Sequence, residues 1–248
     1  MSKAIIKEMM DNIVHIGNKA SFWSPKMRNY IYGASNSVHI FDLNKTLVKL
    51  DEVTNELTEI TKSGKTVLFV STKVQSRETV AKLASDLGQP YVSEKWVPGL
   101  LTNFRTIKRR ISTYLRLLKD AETGAFDVLS KKEKAAKLLE LEKLDKAYKG
   151  LKDMKKAPDV VFVCDGKFEE QAVKEANRLN IPVYALLNTN GDIDAVANFV
   201  PVNTNSFKSV KFISEYLGKS LVVKKAGPKA PKKWGITKKM TQRKDKAA

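Results

Sequence analysis

Two short apolar runs, Val160–Cys164 and Val183–Leu187, carry no charge and bracket a stretch in which Ala172, Val173, Ala176 and Leu179 recur at helical spacing. Strands apolar on both faces belong in a parallel sheet covered by helices on each side. Residues 158–188 are therefore predicted to form a strand, helix, strand unit. The same pattern puts Glu170, Lys174, Glu175 and Arg178 on the outer face of the helix. Pro182 restarts the chain as extended structure.

Upstream, residues 3–14 are predicted to form an amphipathic helix docking through Ile5, Ile6, Met9 and Ile13. Val38–Phe41 is expected as the first strand of the sheet, Val67–Val70 as the second, and Tyr91–Val92 as a brief third. Asn44 suits the cap of an intervening helix through Leu47, Leu50, Val53, Leu57 and Ile60 that ends near Gly64. A second helix carries Val80, Leu83, Ala84 and Leu87. Downstream, Phe199 and Val200 mark a short strand, and residues 206–221 a last helix.

Between Gly99 and Pro158 the strand signal stops. Phe104, Ile107, Ile111, Leu115 and Leu118 mark one helical stripe, and Leu138, Leu141, Leu144, Tyr148 and Leu151 a second. This spacing predicts two antiparallel helices of about 25–30 Å, inserted into the α/β chain as a hairpin. The expected division is an α/β unit of residues 1–100 and 157–223, an inserted hairpin of 101–156, and a tail of 224–248. In that tail nine lysines and one arginine face a single aspartate among prolines and glycines, the composition of a disordered arm.

Charge then changes the picture. The 248 residues carry 45 Lys and Arg against 27 Asp and Glu, a net charge of +18, which points to a polyanionic partner. One cysteine precludes an internal disulfide and suits a reducing compartment. No apolar run approaches the roughly 18 residues of a membrane span, so a soluble, cytoplasmic protein is expected. Neither a membrane nor a second copy of the chain is an expected partner.

Enzyme signatures are thin. Neither G-x-G-x-x-G nor G-x-x-x-x-G-K-[ST] occurs, and residues 42–46 suit a helix cap better than a phosphate loop. His15 and His39 have no partner at metal-ligand spacing. Cys164 lies inside an apolar run, and Asp165 and Asp192 suit turns. No catalytic residue, metal or cofactor is expected.

The basic features are more specific. Residues 102–119 hold Arg105, Lys108, Arg109, Arg110, Arg116 and Lys119 without one acid. A solvated helix face normally mixes signs, so a one-sign face implies a neutralising partner. Residues 22–33 interleave Phe22, Trp23, Tyr30 and Tyr32 with Lys26 and Arg28, and Lys95 and Trp96 repeat the pairing. Aromatic rings stack on unpaired bases while cations meet phosphate. Two classes stay open on these grounds: an RNA-binding protein, or an α/β nucleotide-binding protein or enzyme with an incidental basic surface.

Ordered words in the chain narrow this. His15-Ile16-Gly17, Trp23-x-Pro25-Lys26-Met27, Tyr30-Ile31-Tyr32-Gly33 and Val38-His39-Ile40-Phe41-Asp42-Leu43-x-Lys45-Thr46 come first. Thr72-Lys73, Lys95-Trp96, Gly99-x-Leu101-Thr102-Asn103, Lys152-Asp153-Met154, Pro158-Asp159, Glu175-Ala176-Asn177 and Ile181-Pro182-Val183 follow. Together, from about residue 9 to 223, they resemble the bacterial-type family of the second protein of the small ribosomal subunit. At Asn18, Ser71, Pro98 and Asn188 the chain departs from the family's words. The resemblance implies an α/β sandwich around a parallel sheet, of Rossmann or flavodoxin-like kind, with a projecting coiled-coil hairpin. It also implies a non-catalytic role in translation on small-subunit ribosomal RNA, beside other proteins of that subunit. By position it makes Trp23, Lys26, Lys73, Lys95, Trp96, Asn103 and Arg105 candidates for RNA contact. The chain's own charge pattern adds Arg28, Lys108, Arg109 and, in the tail, Lys232 and Lys233.

Overall fold

The computed structural model describes residues 2–221, so the tail and its Lys232 and Lys233 lie outside the described residues. Five parallel strands make the central sheet in the order β5-β4-β6-β7-β8: β4 (Val67–Val70), β5 (Tyr91–Val92), β6 (Val160–Cys164), β7 (Val183–Leu187) and β8 (Asn198–Pro201). Numbered along the sheet's own chain order this is 2-1-3-4-5, the doubly wound flavodoxin-like arrangement. The two runs predicted as all-apolar strands are buried along their whole length.

Alternate residues of these strands feed two separate cores. Phe69, Phe162, Cys164 and Leu186 face α1 (Ser2–Asp11), α2 (Leu43–Lys62), α3 (Arg77–Leu87) and α7 (Phe207–Leu221). Val70, Val161, Val163 and Ala185 face α6 (Glu170–Arg178) and the base of the hairpin formed by α4 (Phe104–Glu122) and α5 (Lys131–Tyr148). At 19 and 18 residues, α4 and α5 are about 28 and 27 Å long.

Four local expectations are corrected. First, Val38–Phe41 (β3) forms, but not in the parallel sheet. It is the centre of a separate antiparallel sheet with β1 (Ile16–Lys19) and β2 (Ile31–Ser35). Asn36 and Ser37, at φ 49° and 62°, make the two-residue turn between β2 and β3, a geometry that matches the strand twist and returns the chain antiparallel. Second, α2 is capped by Asp42, whose carboxylate accepts from the Asn44 amide at 3.0 Å. Third, α1 ends at Asp11; Ile13 lies beyond it at φ 59°, and Val14 is the buried residue instead.

Fourth, the hairpin seam is rotated. Tyr114, not Leu115, is its most buried residue on α4, and Leu115 and Leu138 are exposed. The Tyr114 hydroxyl donates to Asp145 across the seam, and Lys152 Nζ sits 5.5 Å from its ring centroid. Among the described residues no helix is long and apolar enough to cross a membrane.

Candidate nucleic-acid interface

In a doubly wound sheet, ligands sit at the carboxyl ends of the strands where the order reverses, here between β4 and β6. That crevice is filled by the protein itself. The Lys73 ammonium lies 2.7 Å from Asp165 Oδ2 and 2.5 Å from Asn205 Oδ1, with both ion-pair partners nearly buried. Asp165, in the left-handed region at φ 91°, also accepts from Thr204 and from the amides of Lys167 and Phe168. Glu169 accepts from the Thr72 amide and hydroxyl, and burial pushes its carboxyl above the usual range. Cys164, beneath them, is buried, and desolvation pushes its thiol up to about 12. A thiol so raised stays protonated and unreactive at neutral pH.

The hairpin is joined to the sheet through residues 96–103, and the join is held by one carboxylate. Glu175 of α6 is buried, not on the outer face that the helical pattern predicts. Its Oε1 accepts from Trp96 Nε1 at 3.0 Å and the Gly99 amide at 2.8 Å. Its Oε2 accepts from the Leu101 amide at 3.1 Å and the Thr102 amide and hydroxyl at 3.4 Å. Burial alone pushes this carboxyl up, yet the converging donors outweigh it and hold it below the usual glutamate value. The leaving end is packed as closely: a Cβ on Gly150 would stand 2.2 Å from the Tyr91 carbonyl oxygen. Nothing in the local pattern marks Glu175, because its partners lie 73 to 79 residues away.

With its base so fixed, α4 presents Arg105, Lys108, Arg109, Arg110, Arg116 and Lys119. Among the described residues none of the six forms an ion pair. On α5, by contrast, Lys134, Lys137 and Lys146 each pair with an acid. Arg105, Lys108 and Arg109 are exposed, as are Asn103 and Lys95 beside them.

The aromatic segment sits elsewhere, on the small antiparallel sheet. Trp23 is 36% exposed and packs on His39 with ring centroids 5.1 Å apart. Tyr32 is 82% exposed. Lys26 is exposed but bridges Asp192 at 2.9 Å and Asp194 at 2.5 Å, while Arg28 is exposed without an ion pair among the described residues. Trp96 and Lys73 differ from the rest of the predicted set. The Trp96 side chain is 8% exposed and spent on Glu175, and Lys73 is spent on Asp165 and Asn205.

Residues 9–223 fit the family model described as Ribosomal protein S2. The chain belongs to the ribosomal protein S2 family. Relatives called small ribosomal subunit protein uS2 align over most of both chains. The one from Coprothermobacter proteolyticus is 40% identical over 227 residues, 92% of this chain and 85% of the relative. Those from Dictyoglomus turgidum and Fusobacterium nucleatum are 40% and 41% identical, each over 90% of both chains. Membership in the S2 family agrees with the order of sequence words from residue 15 to 183.

Proposed function

We propose that this chain is a structural constituent of the small ribosomal subunit, without catalytic activity, and that it binds small-subunit RNA chiefly through the exposed face of α4. The observation that carries the reading is the run of six α4 cations, none of them in an ion pair among the described residues, whereas three of the six lysines of α5 are paired. A cluster of like charge destabilises an isolated fold and becomes favourable when phosphates neutralise it and release counterions.

In this reading residues 1–100 and 157–223 are the scaffold and 101–156 the RNA-facing insertion, working in the cytoplasm within the ribosome. Arg105, Lys108, Arg109, Lys95 and Asn103 meet phosphate and ribose at the hairpin base. Trp23 and Arg28 form a second contact, with Trp23 offering a stacking face. Trp96 and Lys73 act by position: the first through Glu175, the second by closing the crevice between β4 and β6.

The test is the affinity of the purified full chain for small-subunit ribosomal RNA as a function of salt. Six phosphate contacts at about −0.7 each predict a log–log slope steeper than about −4. An affinity independent of salt contradicts the proposal.

A further inference from the structure

Opposite the plugged crevice, along the edge where the parallel strands begin, lies a cleft of about 970 Å³. Among the described residues six lysines line it: Lys62 from the last turn of α2, Lys65 from the turn between α2 and β4, and Lys149, Lys152, Lys155 and Lys156 from the chain leaving the hairpin. Among the described residues Asp153 is the only acid on its wall. None of the α4 cations lines it.

We infer that this lysine cleft is a further RNA-backbone site, separate from α4 and from the contact at Trp23 and Arg28, so that the protein grips another stretch of small-subunit RNA. The inference rests on the ribosomal reading above. Three observations support it. The walls are rigid: Asp159 accepts from the Thr66 amide at 2.8 Å, Gln89 accepts from the Val67 amide at 3.0 Å, and Gly150 lies against Tyr91 without room for a Cβ. Four of the lysines, Lys62, Lys65, Lys149 and Lys155, are exposed and enter no ion pair or side-chain hydrogen bond among the described residues, whereas Lys156 is held by Asp159 at 3.1 Å and Lys152 stands over Tyr114. The neighbouring cleft of about 350 Å³ mixes signs instead, with Arg77 paired to Glu94 and with Glu78 and Asp145 on its wall.

Helix ends do not account for the cluster. The carboxyl end of α2 favours a nearby cation by its dipole, which explains Lys62. It does not explain the four lysines contributed by the hairpin's exit. They share the wall of the cleft with Leu87, Pro90 and Met154. Each ammonium is a compact point charge on a flexible stem and can meet a phosphate oxygen without a fixed bidentate geometry.

The experiment replaces Lys62, Lys65, Lys149 and Lys155 together with Gln, and in a second variant with Arg, in the full chain. Binding to small-subunit ribosomal RNA is measured across salt, beside the wild type. The Gln variant is expected to melt with the wild type and to lose roughly 3 units of log–log salt slope, about 0.7 for each contact; the Arg variant keeps the wild-type slope. A Gln variant with unchanged slope overturns the inference, including the case in which it enters subunits poorly, which would assign the cleft to an acidic protein. If the wild type itself lacks a salt slope, the ribosomal reading falls first and the cleft with it.

Discussion

Reversing Arg105, Lys108 and Arg109 to Glu is expected to abolish incorporation into small subunits while leaving the isolated protein folded. All three side chains are exposed and none is paired internally among the described residues, so folding loses no contact. Relief of like-charge crowding along α4 makes the reversed helix, if anything, slightly easier to form. Binding loses at least three charge-assisted hydrogen bonds of about 1.5 kcal/mol each, a weakening of roughly a thousandfold in Kd, before repulsion is added. Quantifying tagged protein in subunit fractions, with circular dichroism on the purified variant, reads both halves. A folded variant that incorporates normally would remove α4 from the interface.

The second large effect is on stability. Glu175→Gln is expected to cost roughly 2–4 kcal/mol, because an amide nitrogen replaces one of two oxygens that each accept at least two hydrogen bonds and strands buried donors. At about 2–4 °C per kcal/mol for a chain of this size, the melting temperature falls by roughly 5–15 °C.

The sign with pH follows from the depressed carboxyl. A folded-state value below the unfolded one contributes stability that is present above the ordinary glutamate value of about 4.3 and is lost as pH falls through the folded value. The wild type should therefore lose stability more steeply than the Gln variant below about pH 4. Glu169 is the internal control. Its carboxyl is raised by burial, so its charge opposes folding at neutral pH, and stability drains as pH climbs from the ordinary value through the folded one. Glu169→Gln keeps an oxygen for both Thr72 donors and is expected to be neutral or stabilising by about 1 kcal/mol. Equal melting temperatures for Glu175→Gln and wild type would refute the role assigned to the hairpin's anchor.

What could be read from the chain, and what could not, follows from the range of the interactions. β6 and β7 were legible because strands buried on both faces have no polar positions to interrupt the run. The hairpin was legible because its stripes repeat locally, although the period near 3.6 allowed Leu115 to stand in for Tyr114, one residue away on the adjoining face. β3 is legible as a strand but its sheet is not: four residues carry no record of their partner, and only the Asn36-Ser37 turn and the half-buried pattern distinguish it from β4.

Glu175 escaped because charge at helical spacing implies solvent unless donors arrive from afar, and its donors arrive from the loop 96–102. Trp96 and Lys73, candidates for RNA contact by the family resemblance, are spent inside the protein here. Each brings a hydrogen-bonding group to a buried acid, and sequence marks the group without its partner. The lysine cleft was invisible to composition because Lys62 and Lys65 meet Lys149 to Lys156 only after the sheet has formed.

In the proposed function an α/β scaffold without catalytic activity carries these cations to hold small-subunit RNA. In a sucrose gradient of cell lysate at low salt, probed for the chain, nearly all of the protein is expected to sediment with the small subunit and to be stripped toward the top as salt rises. Recovery mostly in the free-protein fractions at low salt would contradict the proposal.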